Sequence, residues 1–432
     1  MHKLQEMIRK QKSGYHTGIF SCCSSNEYVL RALFRKTKEH NVMALVESTA
    51  NQVNQFGGYT GQTPKDFALW CTQLAIEMGA EERLVLGGDH LGPLTWTTLD
   101  EAEAMAHAEQ LIVDYVLAGF TKIHIDTSML LSTDDASIPL SDQIIANRAA
   151  RLCKKAEEAF QARKQNEPLA IPPVYVVGSE VPIPGGAKEN ETIQITDSEH
   201  LKLTLDIFRE AFKAYGLEEA WKRVIAVVVQ PGVEFGEDEV FVYNREHAKK
   251  LCELLKENNQ LVFEGHSTDY QPRQALQEMI ADGISILKVG PALTFALREA
   301  LFALENIEKV LYEGTDTVLS DFADTVERVM LENPSQWKNY YRGDEQKQRI
   351  NRAYGFSDRI RYYLNNPSIQ KSIRRLEKNL QEPILLPLLS QFMPMQYLKV
   401  RDGELANHVP ALIIDRIGDC IDDYLFAIKK AF

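Results

Sequence analysis

The chain has 432 residues, a formal net charge of −13 at pH 7 and 44% hydrophobic residues. This length exceeds one ordinary domain, and the hydrophobic content is sufficient to bury a large core. The acidic charge disfavours nucleic acid and anionic membranes as partners, because both attract basic surfaces. No apolar run approaches the roughly 20 residues that a membrane-spanning helix requires, so we predict no membrane partner.

The N-terminal segment and the cysteines both predict a cytoplasmic protein. The segment MHKLQEMIRKQKSGYH is charged and helical in pattern, and it lacks the apolar stretch of a signal peptide. The six cysteines are scattered without CxxC spacing, which indicates free and mostly buried thiols.

Eight short apolar runs alternate with amphipathic segments, which is typical of successive βα units around a parallel sheet. The runs are 17–23, 42–48, 83–90, 122–128, 174–180, 224–230, 261–267 and 285–291. Eight strands, with no GxGxxG turn after the first, favour a closed barrel over an open doubly wound sheet. We therefore predict the α/β class, with a (β/α)8 TIM barrel over residues 1–300.

Strand patterns end after residue 300, and the remaining sequence alternates helical segments with prolines. We predict a helical C-terminal region, 301–432, packed on the barrel. Its WKNYYR and FSDRIRYY stretches combine tyrosines with four basic residues, Lys338, Arg342, Arg359 and Arg361. We favour exposed arginines beside core aromatics. Closure over an anionic ligand and contact with another subunit are the alternatives.

Polar and charged residues stand where the predicted strands end. In a parallel barrel these ends meet at one mouth, so the residues are candidates for a shared site. We assign catalytic roles to Asp89, Glu180, Asp126 and Glu264. We assign metal binding to His90, Gln230, His266 and Glu180. His124 alternates with two isoleucines along its strand, so we predict a structural role for it.

Three loops have the composition of ligand-binding segments. STANQVNQFGGYTGQTP follows the second strand, EVPIPGGAKENE with Gly185 and Gly186 follows the fifth, and GHSTDY follows the seventh. The last barrel helix begins after VGP, a position where barrels commonly bind phosphate. We predict substrate or phosphate binding by Glu47, Ser48, Asn51, Gln52, Ser267, Asp269, Lys288 and Gly290.

Five motifs resemble those of a known family: ESTANQVNQFGGYTG, GGDHLGP, QPGVEF, EGHSTDYQ and LKVGPALTFALREA. Over essentially its full length the chain resembles the Z subunit of D-tagatose-1,6-bisphosphate aldolase, a family that also carries a tagatose-6-phosphate kinase label. The resemblance implies a TIM barrel that accompanies and stabilises a catalytic Y-type subunit in galactitol and N-acetylgalactosamine catabolism. No GxxxxGK(S/T) loop supports the kinase label, so no nucleotide cofactor is expected.

The barrel is similar in turn to class II aldolases. Asp89 and His90 match the Asp-His pair that ends their third strand, and the segment 180–186 matches their ExxxxGG turn. The resemblance places two further zinc histidines at the positions of Gln230 and Glu264, and neither residue is histidine here. This departure argues against tight zinc binding and against autonomous aldol cleavage.

Two functions follow from these observations. The first is a non-catalytic, stabilising subunit of a class II tagatose-bisphosphate aldolase, with the catalytic subunit as its partner. The alternative is a ketose or ketose-phosphate 4-epimerase that uses retro-aldol chemistry and a divalent metal such as Zn, Mn, Co or Ni. A stand-alone aldolase ranks third and a sugar kinase last. A homo-oligomer is compatible with each function.

Overall fold

The eight predicted strands form a closed parallel barrel. The computed structural model describes residues 1–179, 193–256 and 258–429. Around the barrel the strands follow the order β1, β10, β9, β6, β5, β4, β3, β2. They are β1 (Ile19–Cys22), β2 (Ala44–Thr49), β3 (Leu84–Leu91), β4 (Lys122–Ile125), β5 (Val174–Val177), β6 (Val224–Val229), β9 (Val262–Gly265) and β10 (Ile284–Val289). The predicted TIM barrel is confirmed.

Most barrel strands are shorter than the predicted runs. β4 ends at Ile125 and β9 at Gly265, so Asp126 and His266 lie just beyond the last paired residue. Polar side chains at these points leave the ladder and turn into the mouth. A short antiparallel hairpin, β7 (Glu234–Phe235) and β8 (Val240–Phe241), follows β6 and was not predicted. The predicted residues Glu180, Gly185 and Gly186 lie outside the described residues.

Helices surround the barrel and continue beyond it. Those up to the last barrel strand are α1 (Lys3–Lys12), α2 (Glu27–Glu39), α3 (Pro64–Met78), α4 (Glu101–Leu117), α5 (Asp142–Asn166), α6 (Ser198–Ala214), α7 (Glu218–Trp221), α8 (Arg245–Glu253) and α9 (Arg273–Ala281). The later ones are α10 (Pro291–Tyr312), α11 (Phe322–Glu332), α12 (Glu345–Tyr354), α13 (Pro367–Asn379), α14 (Leu386–Phe392), α15 (Pro394–Arg401) and α16 (Val409–Lys429). No helix among the described residues is both long enough and apolar enough to span a membrane.

The first helix closes the end of the barrel opposite the polar strand ends. Leu4 and Met7 of α1 belong to the same apolar cluster as Ile19, Leu45 and Val85 of the strands. His2 caps this helix, and its Nε2 lies 3.0 Å from Thr121 Oγ1. The amphipathic segment that precedes the first strand is therefore a plug for the apolar half of the barrel.

The C-terminal helices pack on the barrel helices. The long helix α16 contacts α2, α9, α10 and β1. Its Tyr424 hydroxyl donates to the Thr268 carbonyl at 2.8 Å, and Lys36 of α2 pairs with Asp422 at 2.6 Å. Helix α10 runs without interruption across residue 300. The helical C-terminal extension is thus present, while the domain boundary at residue 300 stays a prediction.

Candidate functional site

Five strand residues form a layer of buried charges inside the barrel. Lys122 Nζ lies 2.7 Å from Glu264 Oε2 and also contacts Glu47. Lys288 Nζ lies 2.6 Å from Asp89 Oδ1 and contacts Glu47 as well. All these side chains are at most 5% exposed. The strand ends therefore gather alternating charges in a region of low dielectric, where ion pairs are strong but costly to break.

The two lysines of this layer are cations. Burial lowers the pKa of Lys288, but the neighbouring Asp89 and Glu47 outweigh this effect and hold the pKa well above its usual range. Burial opposes the Lys122 charge in the same way, but Glu264 and Glu47 raise the pKa of Lys122. A Schiff-base mechanism requires a neutral amine with a lowered pKa. The geometry is therefore that of a layer of ion pairs and not of a Schiff-base site.

Three histidines converge above the charged layer. The ring centroids of His90 and His124 lie 4.9 Å apart, those of His90 and His266 4.9 Å, and those of His124 and His266 5.3 Å. Ligand atoms of these three residues and of Asp89 all lie within 4.8 Å of one another. All four residues are buried. This set is a candidate site for one divalent cation, because imidazole nitrogens and carboxylate oxygens suit Zn, Mn, Co and Ni.

Each histidine has one ring nitrogen against a carboxylate. His90 Nδ1 lies 2.8 Å from Asp126 Oδ2, and His266 Nε2 lies 3.0 Å from Glu264 Oε1. His124 Nδ1 lies 2.9 Å from Asp89 Oδ1. Metal-binding histidines are typically oriented in this way by a carboxylate, which fixes the tautomer and directs the other nitrogen at the metal.

The remaining ring nitrogens are suited to a metal. His124 Nε2 is buried and has no hydrogen-bond partner among the described residues. The backbone N–H of His90 approaches His124 Nδ1 at 3.1 Å, but the charged Asp89 is the stronger partner and favours a proton on that nitrogen. Burial lowers the pKa of His266 to about 3, so this ring is in the neutral form that binds metals. The donor set therefore fits a metal.

The charge balance of the cluster leads to the same conclusion. The cluster contains two lysines and four buried carboxylates, which are Glu47, Asp89, Asp126 and Glu264. Burial raises the pKa of Asp89, but Lys288 outweighs this effect and holds the pKa well below its usual range. This carboxylate therefore stays ionised. An excess of buried negative charge is unfavourable unless a cation compensates it. A divalent ion among the three imidazoles would neutralise these four carboxylates and two lysines taken together.

The backbone of β3 is distorted where it presents two of these residues. The register between β3 and β4 shifts between Gly88 and Leu91, and His90 has φ +47°. Left-handed backbone is uncommon for a histidine and is often found at functional sites. A Cβ at Gly87 would lie 2.7 Å from Glu47 Oε1, so glycine there makes room for the charged layer. The GGDH sequence therefore supplies both space and direction.

The cluster lies at the base of a cavity of about 390 Å³. Asp89, His90, His266 and Lys288 line its floor, and Asn51 and Gln52 of the β2–α3 loop line its wall. Ser267, Asp269 and Gly290 line it as well. The volume is within the usual range for small-molecule sites, about 300–1,000 Å³. Most of the predicted site residues therefore share one cavity.

Other predicted residues have different local roles. Gln230 Oε1 accepts hydrogen bonds from the backbone N–H groups of Gly232 and Val233 at 2.9 and 3.0 Å, so its oxygen supports the turn after β6. Ser48 Oγ bonds to the Tyr115 hydroxyl at 3.0 Å. Neither residue lines the cavity. Glu180, predicted as both catalytic and metal-binding, lies outside the described residues.

The start of α10 is capped by a carboxylate. Asp269 Oδ1 accepts hydrogen bonds from the backbone N–H groups of Gly290 and Ala292 at 3.0 and 2.8 Å. These are the donors that a phosphate at this helix terminus would use. An ionised Asp269 would also repel a phosphate. The predicted phosphate position at Gly290 is therefore already filled by a side chain of the protein.

Sequence reasoning missed two groups of residues at the site. The first is His124, for which we predicted a structural role. Lys122 and His124 alternate along β4 and Asp126 follows just beyond its end, and this alternation toward one face is a signal that could have included His124. The second group comes from the C-terminal region, where Arg359 and Arg361 line the cavity while Lys338 and Arg342 are exposed. Arg359 is only 2% exposed, in contrast to the exposed arginines that we had favoured.

Comparison with known proteins identifies the family. The sequence model described as "D-tagatose-1,6-bisphosphate aldolase subunit GatZ/KbaZ-like" matches residues 4–429. The chain belongs to the GatZ/KbaZ-like family. The resemblance seen in the sequence motifs is thereby confirmed. The match extends over the barrel and nearly all of the C-terminal helices, so both parts belong to the family's common structure.

The chain is similar to solved structures to different degrees. The chain is 40% identical to a probable tagatose 6 phosphate kinase from Sinorhizobium meliloti 1021, with a TM-score of 0.85 over 95% of this chain and 100% of that one. It is 13% identical to the YdjI aldolase from Escherichia coli K12, with a TM-score of 0.41 over 88% and 98% of the two chains. The fructose-bisphosphate aldolase of Campylobacter jejuni is 11% identical, with a TM-score of 0.43 over 88% and 92%.

Proposed function

We propose that this GatZ/KbaZ-like chain is a metal-dependent ketose-phosphate 4-epimerase that acts by reversible cleavage of the C3–C4 bond. The observation that carries this proposal is the arrangement of His90, His124 and His266. Each ring has one nitrogen against a carboxylate, and the three rings share a small space beside a cavity. The missing histidines at positions 230 and 264 had favoured a non-catalytic role, and His124 and His266 weaken that reason.

A divalent metal held by these three histidines would act as a Lewis acid that polarises the ketose oxygens. Zn, Mn, Co and Ni all accept imidazole ligands, so the donor set does not select one of them. Asp126 and Glu264 would orient the rings of His90 and His266 and would not themselves contact the sugar.

Asp89 is the residue placed to move the proton. Its Oδ1 is held by Lys288 and His124, while the contact of its Oδ2 within the described part of the chain is a distant one, 3.8 Å from Cys23 Sγ. In the proposed reaction Asp89 Oδ2 takes the proton of the C4 hydroxyl as the C3–C4 bond breaks, giving an aldehyde and an enolate. The aldehyde rotates, the bond forms again on its other face, and Asp89 returns the proton to the C4 oxygen. The product is the C4 epimer, with no net gain or loss of atoms.

The test is conversion of D-fructose 6-phosphate by purified chain. Chelator-treated protein should give no product, and protein resupplied with Zn, Mn, Co or Ni should give D-tagatose 6-phosphate, measured by chromatography of the dephosphorylated sugars. His124→Ala should abolish conversion, while His247→Ala, a change at an exposed histidine of α8, should leave it intact. Absence of the C4 epimer with all four metals would contradict the proposal.

A second candidate function rests on the family description, which names an aldolase subunit. In this role the chain would bind and stabilise a catalytic aldolase subunit in the cytoplasm, in the catabolism of galactitol or N-acetylgalactosamine. Co-expression with that subunit should yield a complex that separates as one species on size exclusion. The half-life of its aldolase activity at 37 °C should increase when this chain is present. An unchanged half-life would remove this candidate.

A further inference from the structure

The roof of the cavity carries two arginines from the C-terminal region. They belong to one 3-10 turn, Arg359–Tyr362, and both line the cavity whose floor holds the histidines. We propose that Arg359 and Arg361 form an anion subsite that binds the terminal phosphate of the ketose substrate. This inference rests on the proposed function for the identity of the sugar, but the anion site itself is argued from the roof residues.

Arg359 is a buried cation that forms no ion pair with any residue the structure describes. It is 2% exposed, and no carboxylate of the described residues lies within the 4.0 Å of an ion pair with it. Its Nε donates to the Gln336 carbonyl, while its Nη1 is buried without a hydrogen-bond partner among the described residues. A buried charged donor left unpaired is costly. Arg359 lines the adjoining cavity, and an anion bound there would supply the missing counter-charge.

The guanidinium of Arg359 is fixed by stacking. Its carbon lies 3.3 Å from the ring centroid of Tyr340 and 5.1 Å from that of Tyr362. The stacking leaves the edge of the planar group as its hydrogen-bonding surface. An arginine edge presents paired donors that match the oxygens of a phosphate. The neutral hydroxyls of an unphosphorylated sugar would leave the charge uncompensated.

Arg361 is held in a similar way. Its Nη1 donates to the Asp358 carbonyl at 3.0 Å and to the Ser357 carbonyl, and its Nη2 donates to the Tyr362 hydroxyl at 2.9 Å. The guanidinium carbon lies 4.4 Å from the Tyr362 ring centroid. Within the described residues Arg361 forms no ion pair within 4.0 Å either. The roof therefore presents two positive charges on one short turn.

The turn is anchored to the last barrel helix. Asp358, with φ +44°, accepts a hydrogen bond from Thr294 of α10, and Arg298 Nε lies 3.9 Å from its Oδ1. The Arg359 backbone N–H donates to the Tyr341 hydroxyl at 3.3 Å. Because α10 follows β10 directly, the position of both arginines is tied to the barrel mouth. A subsite that is already in place needs little ordering when a ligand binds.

The test compares binding of phosphorylated and unphosphorylated sugar to the full chain by calorimetry. D-Fructose 6-phosphate should bind at least about tenfold more tightly than D-fructose, because hydrogen bonds to charged groups contribute more than neutral ones. Arg359→Gln should weaken binding of the phosphorylated sugar about 10- to 100-fold and leave binding of fructose unchanged. Arg359→Lys keeps the charge but lacks the paired donors of the guanidinium. Its affinity for D-fructose 6-phosphate should lie between those of the native chain and of Arg359→Gln.

Arg342→Gln is the matched control, since Arg342 is exposed in the same region, and it should bind like the native chain. Equal affinities for the two sugars, or an unchanged preference in Arg359→Gln, would overturn the inference. If Arg359→Gln does not fold, the subsite is tested on the native chain by competition with inorganic phosphate. Phosphate should compete with D-fructose 6-phosphate, and absence of competition would overturn the subsite. Calorimetry detects binding whether or not the sugar is converted. A preference for the phosphorylated sugar without epimerisation would therefore contradict the proposed function and leave the anion subsite standing.

Discussion

The floor and the roof of the cavity differ in whether their charged side chains form ion pairs. At the floor and in the charged layer beneath it, lysines and carboxylates pair directly, with Lys122 Nζ 2.7 Å from Glu264 and Lys288 Nζ 2.6 Å from Asp89. On the roof, Arg359 and Arg361 stack on tyrosines and form no ion pair among the described residues. The floor retains an excess of negative charge and the roof an excess of positive charge. One end of the cavity therefore favours a cation and the other an anion.

This difference separates the charged groups that stabilise the fold from those that are available to bind a ligand. In a buried ion pair each charge compensates the other, even where the contact lacks hydrogen-bond geometry, as between Lys122 Nζ and Glu264 Oε2. Loss of one partner should therefore affect folding before it affects binding. A buried group without a partner, such as His124 Nε2 or Arg359 Nη1, should affect binding before it affects folding. A phosphorylated ketose matches both ends, because its oxygens suit a metal and its phosphate suits arginine.

The largest expected effect is on stability, from breaking the floor. Lys122→Met removes one of the two lysines that Glu47 and Glu264 share and leaves Lys288 as the remaining cation. The uncompensated buried charge should lower the free energy of unfolding by about 3–5 kcal/mol. Urea unfolding followed by circular dichroism measures this loss. Lys155→Met removes an exposed pair with Glu158 and should cost less than about 1 kcal/mol. Similar losses in the two variants would show that the floor is not a structural layer.

The next effect is on metal binding at the floor. Asp126→Asn removes the charge that orients His90, which should weaken metal binding about 10- to 100-fold while the fold is retained. Metal content after dialysis, measured by mass spectrometry, reports this change. Asp135→Asn alters an exposed residue of the same loop and should retain metal like the native chain. Full metal retention by Asp126→Asn would argue against His90 as a ligand.

The smallest effect is expected on the roof. Tyr340→Leu removes the ring that stacks on Arg359, a contact worth about 0.5–2 kcal/mol, so binding of D-fructose 6-phosphate should weaken about 2- to 30-fold. Calorimetry should show native-like affinity for Tyr340→Phe, which keeps the ring. Tyr15→Leu, at an exposed tyrosine, should have no effect. Equal affinities for all three variants would separate the stacking from the binding of the anion.

Much of the barrel and half of its site could be predicted from the sequence. Strands of a parallel barrel have a strong signal, because they are buried on both faces and read as short apolar runs. Polar residues that follow such runs must meet at one mouth, which is why Asp89, His90, His266 and Lys288 were placed together correctly. The β3 signal was clearest, since two glycines precede the Asp-His pair and the strand pattern continues to Leu91.

The tertiary structure alone decided the remaining features. Whether a strand histidine meets a cluster depends on the register and the bulge of its neighbour, and the shift between β3 and β4 brings His124 beside His90. Gln230 instead bonds to its own loop, a local competition that no spacing reveals. Arg359 and Arg361 are about 70 residues from the last barrel strand in sequence. Their place above the floor follows from the packing of the C-terminal helices, because only long-range contacts can bring such distant residues to one cavity.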